Sequence, residues 1–581
     1  SGALYKSTNG GNSFIEIGDK TGVISVGTNP DHISVTDIFF LADWNANAGT
    51  WKTTNGGTTW VHTGFIQNWF TGWATNNSFI FSLSFNGVIK TLTKDRFNPD
   101  RLYGAFGQWA WSSLDGGNIL DNISTTSYGN GQYSTTGLEN IEGHCIDVSD
   151  SNPNTVYMGG YDLGFWYSLN HGASWKRSLP DTMNYPDYTW YAAGGSNCNI
   201  VLSDPKRENV VWASFSAEQP NTESALFKSD EFGENWEISN TGLDSFGATM
   251  HGLSIDINSP TNNRTLYLTQ NGDVFKSTND GQNWTNILQV GGLKFTAVDQ
   301  VNSQLVYAGG ENGLWRSTNG GNSWTDVGLP EMSYSPSVPG AIMREDIVPT
   351  SSIPWQNPPI DAWEGVFEIK TDPNYEGRVY VIAYGSDKGL YRSDDAGSTW
   401  TKLLSNSKMR GVAIAPFNSD IVYASSSNSY HSGGYDVNSI GFKVSYNAGA
   451  TWSDANEGLA WTHGGRMEIE SGNEPHLWAW SPGTGVQHTP IPNYASTAHI
   501  TATPSCIEIY KNPYTDFVII DGDFSTYEIQ ILNSTGQLVQ DLSNANSPIK
   551  INLNNLNSGL HFILVKDVVT QGLSIEKILK Q

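Results

Sequence analysis

The chain has 581 residues, with 57 Asp and Glu against 31 Lys and Arg and a formal net charge of −26. That balance disfavours nucleic acid and anionic membrane surfaces as partners, and no apolar run is long enough to form a transmembrane segment. Gly at 61 positions and a 12% aromatic share, with little helical periodicity, point to an all-β chain rich in turns and large enough for more than one domain.

The chain opens at Ser1-Gly2 almost directly in a short motif, LYKSTNGGNSF from Leu4. Either a leader has been removed or the amino terminus lies further upstream. The motif then recurs: TWKTTNGGTTW from Thr50, a worn WSSLDGGN from Trp111, FWYSLNHGASW from Phe165, LFKSDEFGENW from Leu226 and VFKSTNDGQNW from Val274. LWRSTNGGNSW from Leu314, LYRSDDAGSTW from Leu390 and FKVSYNAGATW from Phe442 complete nine copies. Each reads as two short strands joined by a tight turn, a strong hairpin signal. Its Ser or Thr and the Asn, Asp or Glu two residues on offer acceptors to the turn's amides. The Gly four residues after the Ser supplies a positive φ, and a closing Trp, present in seven copies, is an apolar plug between sheets.

Between these boxes the grammar is constant. A strand ends near an Asp/Asn-Pro type turn, a second strand reads like VYAGG, and the box hairpin follows, as in CIDVSDSNPNTVYMGG from Cys145 and FTAVDQVNSQLVYAGG from Phe295. Four strands per repeat, stepping every 40 to 76 residues, predict β-propeller blades. Eight complete blades run from about residue 18 to 452, with a ninth beginning at RMEIES and LWAWS. Either the chain's start completes the final blade, or the boxes belong to two propellers. The second reading is preferred, because nine blades in one ring exceed the usual range. The propeller region is thus expected over 1–487, followed by a Pro/Thr/Ser linker over 488–504. Residues 505–581 form a separate β unit that reads as a small sandwich.

Two resemblances follow from these residues. The box pattern S-x-[DN]-x-G-x-x-W resembles the Asp-box (BNR repeat) of sialidases, xyloglucanases and sortilin-type receptors, and covers roughly residues 1–490. It implies the propeller fold and says little about function. The tail, with Asn512-Pro513, NSTGQ over Asn533–Gln537, Leu556 with Gly559, and a terminal Lys577 to Lys580 segment, resembles the carboxy-terminal sorting domain of the type IX secretion system of Bacteroidetes. His561 stands where that family commonly has Tyr. This likeness implies export by that machinery and a secreted or outer-cell-surface location.

Alternation of strands puts the box turns on one face of each blade and the loops before the third and first strands on the other. Those loops carry the candidates: carboxylates Asp43, Asp162, Glu311, Asp387 and Asp436, and then Trp69, Trp73, Glu142, His144, Trp190, Tyr191, His251, Trp363, Glu364, Arg410, Trp461, His463 and Arg466. Aromatic rings around acids suit carbohydrate, since sugar faces stack on rings and hydroxyls bond to carboxylates. The resemblance to xyloglucanases singles out Asp43 and Asp162 as catalytic, because that family carries its acids in the corresponding loop. YDLGFWYS approaches the family's D-x-G-G pattern with Phe165 in place of the second Gly. The family's acid and base lie on different propellers, whereas Asp43 and Asp162 read as two blades apart.

The expected function is therefore a glycoside hydrolase acting on polysaccharide. Trp69, Trp73, His144, Trp190, Tyr191, His251, Trp363, Asp387, Trp461, His463 and Arg466 would bind substrate. One alternative is a polysaccharide lyase using His144, His251 and His463 with Tyr191, Arg410 and Arg466. Another is a surface propeller that binds glycan or protein without turnover. The arginine-led strand of sialidases is absent. No cofactor and no metal is expected, for no CxxC or His/Cys cluster is legible. Cys145 and Cys198 occupy equivalent positions of consecutive repeats and are either bridged or two buried thiols.

Overall fold

The computed structural model describes residues 4–18, 22–25, 39–43, 50–63, 91–95, 98, 100–105, 110–137, 143–160, 164–181, 197–216, 224–244, 250–329, 365–384, 388–406, 408–426, 429–430, 434–435, 439–459, 462–472, 474–481 and 485–491, and in the tail 507–511, 517–522, 527–533, 537–545, 549–552, 556, 559–567 and 573–580. They fall into two compact units, Ser1–Pro492 and Asn493–Gln581.

Within the first unit, seven antiparallel sheets form a closed β-propeller. Their innermost strands are Gly143–Val148, Asn197–Asp204, Met250–Ile255, Leu293–Val298, Gly365–Thr371, Met409–Ala415 and Met467–Ile469, numbered here as blades 1 to 7. Each innermost strand packs on the next. Gly143–Val148 packs in turn on Met467–Ile469 and on the neighbouring strand His476–Ser481, which closes the ring. Blades 1 to 6 carry the expected four strands, and blade 7 has three among the described residues, ending with Gly485–Pro490. The second strands, such as Val156–Gly160, Val306–Gly310 and Val379–Tyr384, are buried along their whole length. Both faces of such a strand meet a neighbouring blade, which is why they read as unbroken apolar runs.

The residues before the ring form separate sheets. Among the described residues Leu4–Lys6 pairs only with Ile15–Gly18. Two four-stranded sheets follow, one running from Gly22–Ser25 to Val61–Thr63 and the other from Thr91–Lys94 to Asp121–Asn122. A hairpin, Thr125–Gly129 with Gln132–Thr135, then adds itself to the outer strand of blade 1 through Gln132↔Lys176 and Tyr133↔Trp175. The chain's start therefore does not complete the final blade: the ring shuts by direct packing of blade 7 on blade 1.

The box turn is built alike in all nine copies. The hydroxyl of Ser7, Thr53, Ser113, Ser168, Ser229, Ser277, Ser317, Ser393 or Ser445 accepts the amide of the Gly four residues on, at 2.7–3.0 Å. The side chain two residues after the Ser or Thr accepts further amides, as Asn319 does from Ser323 at 2.9 Å. The preceding residue is also at positive φ, and in five copies it is not Gly but His171, Phe232, Asp280, Ala396 or Ala448.

The boxes also join blades. A basic side chain just before the box Ser donates to the next blade's box-turn carbonyl: Lys276 to Gly320 at 2.6 Å, Arg316 to Ala396 at 2.7 Å, and Arg392 to Ala448. The same contact links Lys6 to Gly56 at 3.3 Å ahead of the ring. Box tryptophans reach back the other way, Trp236 to Ser178 Oγ at 2.9 Å and Trp60 to the Ile17 carbonyl at 3.0 Å.

The second unit contains a three-stranded sheet (Ile507–Lys511, Phe517–Gly522, Ile549–Asn552) and a four-stranded one ordered Leu538–Ala545, Tyr527–Asn533, Gly559–Asp567, Leu573–Lys580. Ile529, Ile531, Ile563 and Val565 are buried on alternate positions of the latter. At the two ends of NSTGQ, Asn533 Oδ1 accepts the Gln537 amide at 2.9 Å.

Candidate functional site

The first strand of each blade runs from the loop face to the box face, so its opening residues ring the mouth of the axial channel. Blades 1 to 6 share a device there. The register of the innermost strand slips near its start, between Gly143 and Cys145, Cys198 and Ile200, Met250 and Leu253, Leu293 and Phe295, Val366 and Glu368, and Met409 and Gly411. A bulge leaves a residue unpaired and re-aims its side chain. The residues thus released are His144, Asn199, His251 with Gly252, Lys294, Phe367 and Arg410. Arg466, just ahead of Met467, takes the corresponding place in blade 7. One position per blade therefore contributes to a ring of basic, polar and aromatic groups.

Several of these groups are locked to one another. Lys294 Nζ lies 3.8 Å from Glu311 Oε1 and 3.4 Å from His251 Nε2. Burial lowers the Lys294 ammonium below its ordinary value, with Glu311 opposing. The Arg410 guanidinium stands over the rings of Phe367 (5.2 Å) and Tyr384 (5.5 Å), and Arg466 over Phe295 (5.2 Å). His463 is wholly buried behind them, and burial followed by the Arg410 charge pulls its imidazole down to about 3. It is neutral and shapes the mouth from inside, with no surface to offer a substrate.

Below the mouth lies a cavity of about 250 Å³, lined among others by Asp147, His251, Glu368, Lys370, Arg466 and Glu468. Lys370 Nζ pairs with Glu468 Oε2 at 2.8 Å. Burial works against the Lys370 charge, but Glu468 and then Glu368 more than offset it and raise the ammonium. Asp147 accepts the amide of Ser203 from blade 2, and Glu368 accepts that of Val412 from blade 6 at 2.8 Å. These carboxylates cap strand edges that have no further strand to pair with. Burial, then the nearby Glu468, pushes Asp147 up to about 8, and the same two causes bring Asp150 to about 6. Burial also raises Glu368.

Of the residues singled out in the sequence, His251, Arg410 and Arg466 converge on the mouth ring; His144 lies on the innermost strand of blade 1, and its side chain is outside the described residues. Glu311 is buried in its pair with Lys294. Asp43 ends the second strand, Phe39–Asp43, of a sheet before the ring, and its side chain is not among those described. Trp69, Trp73, Glu142, Asp162, Trp190, Tyr191, Trp363, Glu364, Asp387, Asp436 and Trp461 lie outside the described residues. Lys294, Asn199, Phe367 and the channel set Asp147, Glu368, Lys370 and Glu468 went unnoticed. Their signal was a charge inside an otherwise apolar first strand, as in CIDVSD, VFEIKT and RMEIES. Cys145 and Cys198 are free and buried together, Cys145 Sγ lying 3.7 Å from the Cys198 carbonyl oxygen.

Among curated proteins no match was found. Solved structures similar to the chain include a GH74 xyloglucanase of Xanthomonas campestris (13% identity, 93% of this chain and 84% of that one, TM-score 0.32) and the GH74 enzyme of Niastella koreensis (14%, 100% and 88%, 0.27). PorZ, a surface component of the type-IX secretion system of Porphyromonas gingivalis, is similar at 11% identity over 96% of this chain and 81% of that one, with a TM-score of 0.34. These likenesses are too slight to carry a function. The family model for a secretion system C-terminal sorting domain matches residues 508–581. No helix among the described residues is long and apolar enough to cross a membrane. The chain thus ends in a type IX secretion sorting domain, and the protein is one that is secreted or held at the cell surface.

Proposed function

We propose that the protein is an exported glycoside hydrolase acting on polysaccharide at the loop face, with Asp162 and Asp43 as acid and base in unassigned order. The supporting observation is one of position. Asp43 ends the second strand of a sheet that precedes the ring, and Asp162 belongs to the connection that leaves the second strand of blade 1, Val156–Gly160. In the repeat pattern of the sequence each acid follows on a second strand, which is the equivalence that supports this reading. Hydrolysis needs two carboxyls on either side of one glycosidic bond, and this reading supplies them from two repeats.

A second reading, glycan binding without turnover, is favoured by the mouth ring, whose described members are held by pairing and stacking rather than poised for proton transfer. The lyase reading is weakened by the burial of His463. Asp162→Asn assayed on a panel of polysaccharides separates these. Hydrolysis lost with an unchanged melting curve supports the assignment, and unchanged hydrolysis overturns it. Retention of polysaccharide by the wild type without any product selects the binding reading, and an unsaturated uronide product selects the lyase.

A further inference from the structure

Three histidines from distant parts of the chain meet where the ring closes. His171 sits in the box turn of blade 1, at the positive-φ position (φ 55°) that is Gly in four of the nine copies. His476 and His488 stand on the paired strands His476–Ser481 and Gly485–Pro490 of blade 7, where the register Trp478↔His488 makes them diagonal neighbours. One ring nitrogen of each lies within 4.8 Å of one from each of the others. His476 Nδ1 and His488 Nδ1 are 2.7 Å apart.

The surroundings hold these rings in place. Glu470, only 4% exposed, takes His171 Nε2 on Oε2 at 2.9 Å, the Trp478 indole on the same oxygen at 2.7 Å, and the His476 amide on Oε1 at 2.9 Å. His488 lies flat on Trp478, with centroids 4.2 Å apart and planes at 12°, and His476 stacks on His488 at 4.9 Å. With Nε2 donating to the carboxylate, His171 keeps a lone pair on Nδ1. A carboxylate that orients an imidazole by its far nitrogen is the usual outer support of a histidine metal ligand. Two imidazole nitrogens at hydrogen-bonding distance share one proton, which a metal ion would displace.

We propose that His171, His476 and His488 form a site for a borderline divalent transition metal, Zn²⁺ first among them, and that the metal rivets blade 7 to blade 1. Three imidazoles suit Zn²⁺, Cu²⁺ or Ni²⁺ and offer nothing to Ca²⁺ or Mg²⁺, which require oxygen ligands. The site lies beside a box turn, on the face opposite the mouth ring, so its role is in closing the ring rather than in handling substrate. Ligands from both sides of the seam make metal affinity part of folding stability. Spacing in the sequence hides the site, since His171 and His476 are some 300 residues apart and adjoin only because the propeller is circular.

The test uses the full chain, stripped with chelator and dialysed against Zn²⁺, Ni²⁺, Ca²⁺ or Mg²⁺, with bound metal counted and thermal unfolding followed. One Zn²⁺ per chain and a raised unfolding temperature are expected, with no response to Ca²⁺ or Mg²⁺. His488→Gln, an exposed position, should lose the bound Zn²⁺ and the thermal shift while melting like the metal-free wild type. Glu470→Gln should keep the site but weaken it by about 10–100-fold. Absence of stoichiometric Zn²⁺, or Zn²⁺ binding by His488→Gln and His171→Asn as tight as that of the wild type, would overturn the proposal. Co²⁺ substitution supplies a readout independent of stability: ligand-field bands present in the wild type and absent from His488→Gln.

Discussion

The indole Nε1 of Trp284 donates to the carbonyl oxygen of Ser239 across 2.8 Å, from the box of blade 3 to the end of blade 2. The ring fills the space between the two sheets and is 4% exposed. Trp284→Ala should therefore cost about 3–5 kcal/mol, and Trp284→Phe less, since only the hydrogen bond and part of the volume are lost. Chemical unfolding followed by tryptophan fluorescence checks the order. Equal effects of the two substitutions would show that the hydrogen bond, not the plug, is what matters.

A second joint is electrostatic. Arg264 and Asp204 are both fully buried between blades 3 and 2, paired through Nη2–Oδ1 at 2.7 Å and Nε–Oδ2 at 2.8 Å. Burial raises the Asp204 carboxyl, but Arg264, the Lys206 amide and Arg207 together hold it below its ordinary value. Arg264→Ala should cost up to about 3 kcal/mol, because it leaves the buried Asp204 carboxylate with Arg207 as its one remaining cation. In that background Asp204→Asn should cost much less than it does alone. Additive losses in the double mutant would contradict the pairing.

The channel predicts a pH dependence of opposite sign. Asp147 binds its proton more tightly folded, at about 8, than unfolded, near 3.8. Its contribution to stability is therefore full below the unfolded value and is lost as pH rises towards 8. Asp147→Asn keeps an acceptor for the Ser203 amide and cannot ionise. The wild type should lose thermal stability between roughly pH 4 and pH 8, the window of that shift, and the variant should lose less, with the two curves furthest apart from about pH 8 upward. Parallel curves would show that Asp147 does not titrate in this window.

At the mouth, His251 and Arg466 are partly exposed and belong to the bulged ring. On the proposed glycan-binding reading, Arg466→Gln and His251→Asn should each weaken retention of polysaccharide by about tenfold, with the unfolding temperature unchanged. Affinity electrophoresis in polysaccharide-containing gels measures this directly. Unaltered mobility shifts in both variants would move the binding surface away from the channel axis.

The legible and illegible parts of this chain divide by the range of the interactions behind them. The box could be read because Ser317, Asn319 and Gly321 satisfy one another within five residues. Burial of Val306–Gly310 on both faces was written in its unbroken apolar run. The ring closure was not legible, because nothing near Gly143 announces that Met467 will pack there. The bulges at His251, Lys294 and Arg410 were equally hidden, since a register slip depends on the partner strand. Of the proposed acids, Asp43 could be placed on its strand and Asp162 only in a connection.

The contacts from one box to the next have a direction. The basic side chains Lys276, Arg316 and Arg392 reach forward, and the box tryptophans Trp60, Trp236 and Trp284 reach back. A repeat therefore carries a hook on one edge and an eye on the other, both encoded within its own few dozen residues. A duplicated repeat would arrive already fitted to its neighbours on either side. Growth by copying is thus open to such a chain without redesign of any joint, and only the seam, where the first and last repeats must meet, needs a fastening of its own.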